Sequence, residues 1–178
     1  MHLNGMTDET RIDELVADLR RGPLAVRRAA TAELGASGAV AVEPLIAAML
    51  DGDNDLRWYA ARALVQIGEA AIDPLLAAMR AGENRDFRRY AMAALAGIGE
   101  AAVEPLIDII ECADPALQPF AAMALMKIGE PAVEPLLRLM QSPDLKTQER
   151  AALLLCRMGE TGAEPLTGAL EADRSGKR

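Results

Sequence analysis

The sequence predicts an all-α fold of the α-solenoid class, an α/α superhelix of about five helix-hairpin repeats plus a C-terminal half repeat. Three observations predict it. A Gly, five residues and then Pro-Leu recur five times, starting at Gly38, Gly68, Gly99, Gly129 and Gly159 and closing at Pro44, Pro74, Pro105, Pro135 and Pro165. The prolines lie 30, 31, 30 and 30 residues apart. A fixed period of that length marks units that bury their apolar faces only against their neighbours. Finally, 51% of the residues are hydrophobic but only 3% are aromatic, so Ala, Leu, Ile, Val and Met must fill the core.

Residues 1–9 are expected to be unstructured, 10–173 to form a single solenoid and 174–178 a flexible tail. Ile12 to Arg20 reads as a first helix, with Ile12 and Leu15 in register with Val42 and Leu45. Val26-Arg27-Arg28-Ala29-Ala30 opens its partner. The unit from Ile72 to Gly99 states the pattern most clearly. Ile72, Leu75, Leu76 and Met79 keep the i, i+3, i+4, i+7 spacing of a buried helix face. Pro74 suits a first turn, where its missing N–H has no partner, and Asp73 favours the positive helix end. The helix stops near Gly82, and Asn84 caps a second helix from Arg85 to Ile98 with Phe87, Ala91, Ala94, Leu95 and Ile98 inward. Asp53, Asp114 and Asp144 hold the cap position in other copies. Gly99 ends the second helix, as a residue that accepts positive φ should. Second helices fall at 24–37, 55–67, 85–98, 115–128 and 145–158, and Pro119 should make the fourth of these kink or start late. Ala163 to Ala172 forms a last helix without a partner, giving eleven in all. Both ends depart from the repeat, at Glu33, Ser37, Thr167 and Gly168, as capping units do.

Composition excludes several function classes. The net charge of −8 opposes long-range attraction to a polyanion. No apolar run approaches the 18 or more residues of a membrane span. The first residues lack the basic and apolar regions of a signal peptide, so a cytoplasmic protein is expected. Cys112 and Cys156 fall at unrelated repeat positions without CxxC spacing and read as buried or half-buried free thiols. The single histidine, His2, leaves no material for a His-dependent triad or metal centre. The three serines sit at turns, helix ends or the tail, and the glycines are helix stops rather than a phosphate loop. Glu43, Glu104 and Glu134 recur once per repeat, which is helix-start chemistry. A non-enzyme without cofactor or metal follows.

Segments such as Val26-Arg27-Arg28-Ala29-Ala30 and Leu56-Arg57-Trp58-Tyr59-Ala60-Ala61-Arg62-Ala63-Leu64, followed by Ile-Gly-Glu and Val-Glu-Pro-Leu, resemble HEAT repeats. The short variety named after phycobilisome lyases is the nearest likeness, and it covers nearly the whole chain. The resemblance implies second helices lining a concave face and a ladder of Arg and Asp between repeats. Arg27, Arg57 and Arg88 match the ladder arginine; Gln118 and Gln148 depart from it.

The five aromatic residues, Trp58, Tyr59, Phe87, Tyr90 and Phe120, all open second helices. Phe87 aligns with Val26 and Leu56 and reads as core. Tyr59, Tyr90 and Phe120 share one repeat position, two residues after the ladder slot. They are expected to form a partly exposed concave stripe flanked by Trp58, Arg62, Arg89 and Met123, against the plainer reading that the rings fill seams between helices. Second-helix segments hold eleven Lys/Arg (27, 28, 57, 62, 85, 88, 89, 127, 146, 150, 157) and four acids (33, 55, 86, 149). The rest of the chain holds 8 and 23. A basic face on an acidic body suits an acidic protein or peptide, bound by a monomer or weak homo-oligomer. Nucleic acid is the competing ligand, and a lyase- or chaperone-like subunit acting on a phycobiliprotein is the reading the resemblance adds.

Overall fold

The structure, a computed structural model, describes the backbone of residues 3–112 and 114–176 and the side chains of 9–112 and 114–172. Eleven α-helices are found among the described residues. They fall into two compact units, one ending at Ile98 and one beginning at Gly99.

In the first unit, α1 (Leu3–Arg21), α3 (Val42–Asp51) and α5 (Ile72–Ala81) are first helices, and α2 (Leu24–Ala36), α4 (Asn54–Ile67) and α6 (Arg85–Ile98) are second helices. Helix α1 takes in most of the segment expected to be unstructured; His2 lies outside the described residues. First helices pack along one layer, α1 on α3 on α5, and second helices along another, α2 on α4 on α6. Leu45, Met49, Leu64, Leu75, Met79, Phe87 and Leu95 fill the space between the layers and are fully buried.

The second unit repeats the plan with α7 (Val103–Glu111), α8 (Gln118–Ile128), α9 (Val133–Leu139), α10 (Leu145–Arg157) and α11 (Glu160–Gly176). Leu106, Ile109, Leu117, Leu125, Leu136 and Leu155 are its buried centre. Helix α8 starts late, as Pro119 requires: Pro115 to Leu117 form only a turn, and the helix keeps 11 residues where α4 and α6 have 14. Helix α11 is longer at both ends than Ala163 to Ala172. In the four earlier copies a short 3₁₀ turn separates the glycine from the first helix, whereas α11 begins directly at Glu160. Gly162 stands where the other copies have Ala41, Ala71, Ala102 and Ala132, and it lies close against α10: a Cβ there would stand 2.2 Å from the Leu155 carbonyl oxygen.

The helix ends are fixed by local chemistry. The repeat glycines all have positive φ, from 69° to 86°, which lets the chain reverse without a Cβ penalty. Asp53 accepts from the Leu56 N–H at 2.8 Å, Asn84 from Phe87 at 3.0 Å and Asp144 from Thr147 at 3.0 Å, each at the start of a second helix. Asp114 instead caps the turn, accepting from Ala116 at 2.9 Å.

The ladder slot corrects the expectation drawn from the resemblance. Among the described residues one rung pairs an arginine with the next repeat's aspartate, Arg27 with Asp55 at 3.6 Å. What all five slot residues share is a bond inside their own hairpin. Arg27, Arg57 and Arg88 donate Nε–H to Gly22, Met49 and Met79 carbonyls at 2.8, 2.9 and 3.0 Å. Gln118 and Gln148 donate Nε2–H to Ile110 and Ser142 at 3.2 and 2.6 Å. These carbonyls lie at or just beyond the C-terminal end of the first helix, where the last turn leaves oxygens without helical partners.

Candidate functional site

Repeat register decides which second-helix residues face water. One residue after the slot come Arg28, Trp58, Arg89, Pro119 and Glu149; five after it come Ala32, Arg62, Ala93, Met123 and Leu153; nine after it come Ala36, Gln66, Gly97, Lys127 and Arg157. All are exposed. Offsets of four keep these rows on one side of a helix.

The position of Tyr59, Tyr90 and Phe120 lies between that surface and the core. Tyr59 is 8% exposed, which corrects its place in an exposed stripe, whereas Tyr90 and Phe120 are half-buried. Tyr59 is covered because the Trp58 ring meets it edge-on at 4.8 Å and 85°, and the Arg27 guanidinium lies 5.7 Å from its centroid. It is a seam residue of α2 and α4.

In the first unit Trp58, Tyr59 and Arg62 come together. Trp58 is 45% exposed, and the Arg62 guanidinium carbon lies 4.8 Å from its ring centroid. They line an open groove of about 320 Å³ together with Arg28, Thr31 and Gln66. Arg28, Thr31 and Gln66 were absent from the sequence-derived set. A signal was available for two of them, since Arg28 shares the position of Trp58 and Gln66 lies one helical step beyond Arg62; Thr31 is buried and carried none. On α6 the Arg89 guanidinium sits 5.0 Å from the Tyr90 centroid and pairs with Asp86 at 3.3 Å.

In the second unit Phe120 and Met123 lie on α8. Met123 is 62% exposed, and its counterpart on α10, Leu153, is 58% exposed. This row is apolar, where the first unit carries Ala32, Arg62 and Ala93. Arg150, at the Tyr59 position, holds a buried Nη1 without a hydrogen-bond partner among the described residues.

Among the described residues, titration is perturbed at Asp144 and Arg11, away from these rows. Hydrogen bonds from the Thr147 hydroxyl, and then from backbone N–H groups, hold the Asp144 carboxyl below its ordinary range. Bonds to Glu33 and Glu14 raise the Arg11 guanidinium further. Among the described residues no cluster of three His, Cys, Asp or Glu could hold a metal ion. Cys112 and Cys156 are free, as expected, but exposed rather than buried or half-buried. No described helix is long and apolar enough to cross a membrane.

A HEAT repeat family model matches residues 12–96 and 72–156, and the chain belongs to that family. No curated protein matches it. Among solved structures it is similar to a designed armadillo repeat protein in complex with the peptide (KR)4, at 18% identity over 89% of this chain and 90% of that one, with a TM-score of 0.37. It is also similar to an engineered protein at 22% identity, covering 89% and 86%, with a TM-score of 0.35. The family match makes the protein a helical repeat protein of the HEAT class.

Proposed function

We propose that the chain is a non-catalytic scaffold that holds a protein or peptide partner on the surface of its second helices. The observation that carries this reading is Trp58, a large ring left 45% exposed beside the Arg62 guanidinium. Trp and Arg are enriched at interface hot spots, and a flat ring buried by a partner supplies much contact area for little lost conformational freedom. Met123 and Leu153 extend the supply of apolar contact area in the second unit. The two exposed free thiols suit a reducing compartment such as the cytoplasm.

The test is selection of binding peptides from a random display library, followed by affinity measurement on surface variants. Trp58→Ala or Met123→Ser should weaken the selected peptides roughly tenfold or more, with little change in thermal midpoint. Glu43→Gln, on a first helix, should leave them unaffected. Binders that ignore Trp58 and Met123 but depend on first-helix residues would refute the reading.

A further inference from the structure

The groove between α2 and α4 carries an uncompensated positive charge. Helix α2 has one acid, Glu33, and it pairs with Arg11 at 2.6 Å. Helix α4 also has one, Asp55, and it pairs with Arg27 at 3.6 Å. Arg57 turns inward to the Met49 carbonyl. Arg28 and Arg62 remain at the groove, both exposed and without a carboxylate partner among the described residues. The outward rows of the first unit contain no acid at all, while those of the second include Glu149.

The chemistry of the groove is that of donors awaiting acceptors. Arg28 and Arg62 each offer a planar fork that matches carboxylate oxygens. The Trp58 indole adds one N–H, and Gln66 an amide. The Thr31 hydroxyl is already spent as a donor to the Arg27 carbonyl at 2.8 Å. The exposed part of the Trp58 ring, beyond the face that Arg62 covers, then supplies apolar contact for the stem of an acidic side chain or its neighbour. A polyphosphate backbone fits less well, because its recognition draws on many clustered cations, and the chain as a whole carries −8.

Resting on the scaffold reading above, we infer that this groove recognises an acidic, Asp/Glu-containing peptide segment, with Arg28 and Arg62 pairing its carboxylates beside Trp58.

Trp58 is the only tryptophan, so its emission reports on this groove alone. The probes are the octapeptides (Glu-Leu)4, (Gln-Leu)4 and (Lys-Leu)4 and a single-stranded oligonucleotide, each titrated into the full chain at about 50 mM and about 300 mM sodium chloride. The expected result is a saturable emission change with (Glu-Leu)4 only, weaker at the higher salt. The affinity should drop roughly tenfold or more in Arg28→Gln/Arg62→Gln and persist in Arg80→Gln, an exposed change on α5. Circular dichroism melting of each variant confirms folding. Equal responses to (Glu-Leu)4 and (Gln-Leu)4, full affinity in the double variant, tighter binding of the oligonucleotide or no response to any probe would each overturn the inference. In those cases display-selected peptides that still depend on Met123 would keep the scaffold reading alive, so the two failures are told apart.

Discussion

Gln118 and Gln148 do with one amide nitrogen what Arg27, Arg57 and Arg88 do with a guanidinium Nε. Each ties the start of a second helix to the end of the first helix of its own hairpin. Arg57 is 9% exposed, so Arg57→Ala would leave the Met49 carbonyl without its partner in a buried setting. We expect a loss of about 1–3 kcal/mol, read as a lower denaturation midpoint, with Arg57→Gln recovering much of it. Asp144 gives a pH-dependent test. Its folded pKa is depressed, so its contribution is present above the ordinary carboxylate pKa and is lost as pH falls through the lower, folded value. The stability gap between the native protein and Asp144→Ala should therefore be constant near neutrality and close on acidification below the usual aspartate range. A gap that widened in acid would contradict the assignment. Which residue occupied the slot was legible in the sequence; what it bonded was not, because the partner is a backbone oxygen that leaves no trace in residue type.

Helix boundaries followed the local signals closely wherever a cap, a glycine or a proline set them. Asn84 and Asp53 cap, the five glycines turn with positive φ, and Pro119 delays α8. Leu95 was expected inward and is fully buried, so Leu95→Ala should cost about 2–5 kcal/mol through lost burial and a residual cavity. An unchanged midpoint would break the register. Gly162 escaped the sequence reading because its role is defined by the approach of α10, which repeat alignment does not reveal. Adding a Cβ against the Leu155 carbonyl in Gly162→Ala should cost on the order of 1–3 kcal/mol, and crystallography or amide exchange should locate the disturbance at α10 and α11. Of the three rings expected to be partly exposed, Tyr59 alone was misjudged, for a related reason. Seam and surface positions adjoin on a helix, and Tyr59 is covered by the packing of Arg27 from α2 and of the Trp58 ring, which itself stays exposed.

For the molecule as a whole, charge is sorted by helix type. Second-helix segments hold eleven of the 19 Lys/Arg and only four of the 27 Asp/Glu, and the acids gather elsewhere: Glu130, Glu134, Glu160 and Glu164 line one depression in the second unit. Like charges held around one depression repel, so Glu134→Gln/Glu160→Gln should raise stability by a few tenths of a kcal/mol at low ionic strength. The gain should shrink in concentrated salt; a gain independent of salt would point to packing instead.

The 31-residue copy shows what the hairpin latch permits. Its extra residue lies in the turn between α5 and α6, yet Arg88 still reaches Met79, across nine positions instead of the eight that separate Arg57 from Met49. The tether absorbs the insertion before it can propagate into either helix. Since every copy closes on itself, the gene can lengthen or shorten by duplicating or losing whole copies, and each newcomer arrives with its fastening already included. Growth of this kind alters how many surface positions are on offer without renegotiating how any one of them is held.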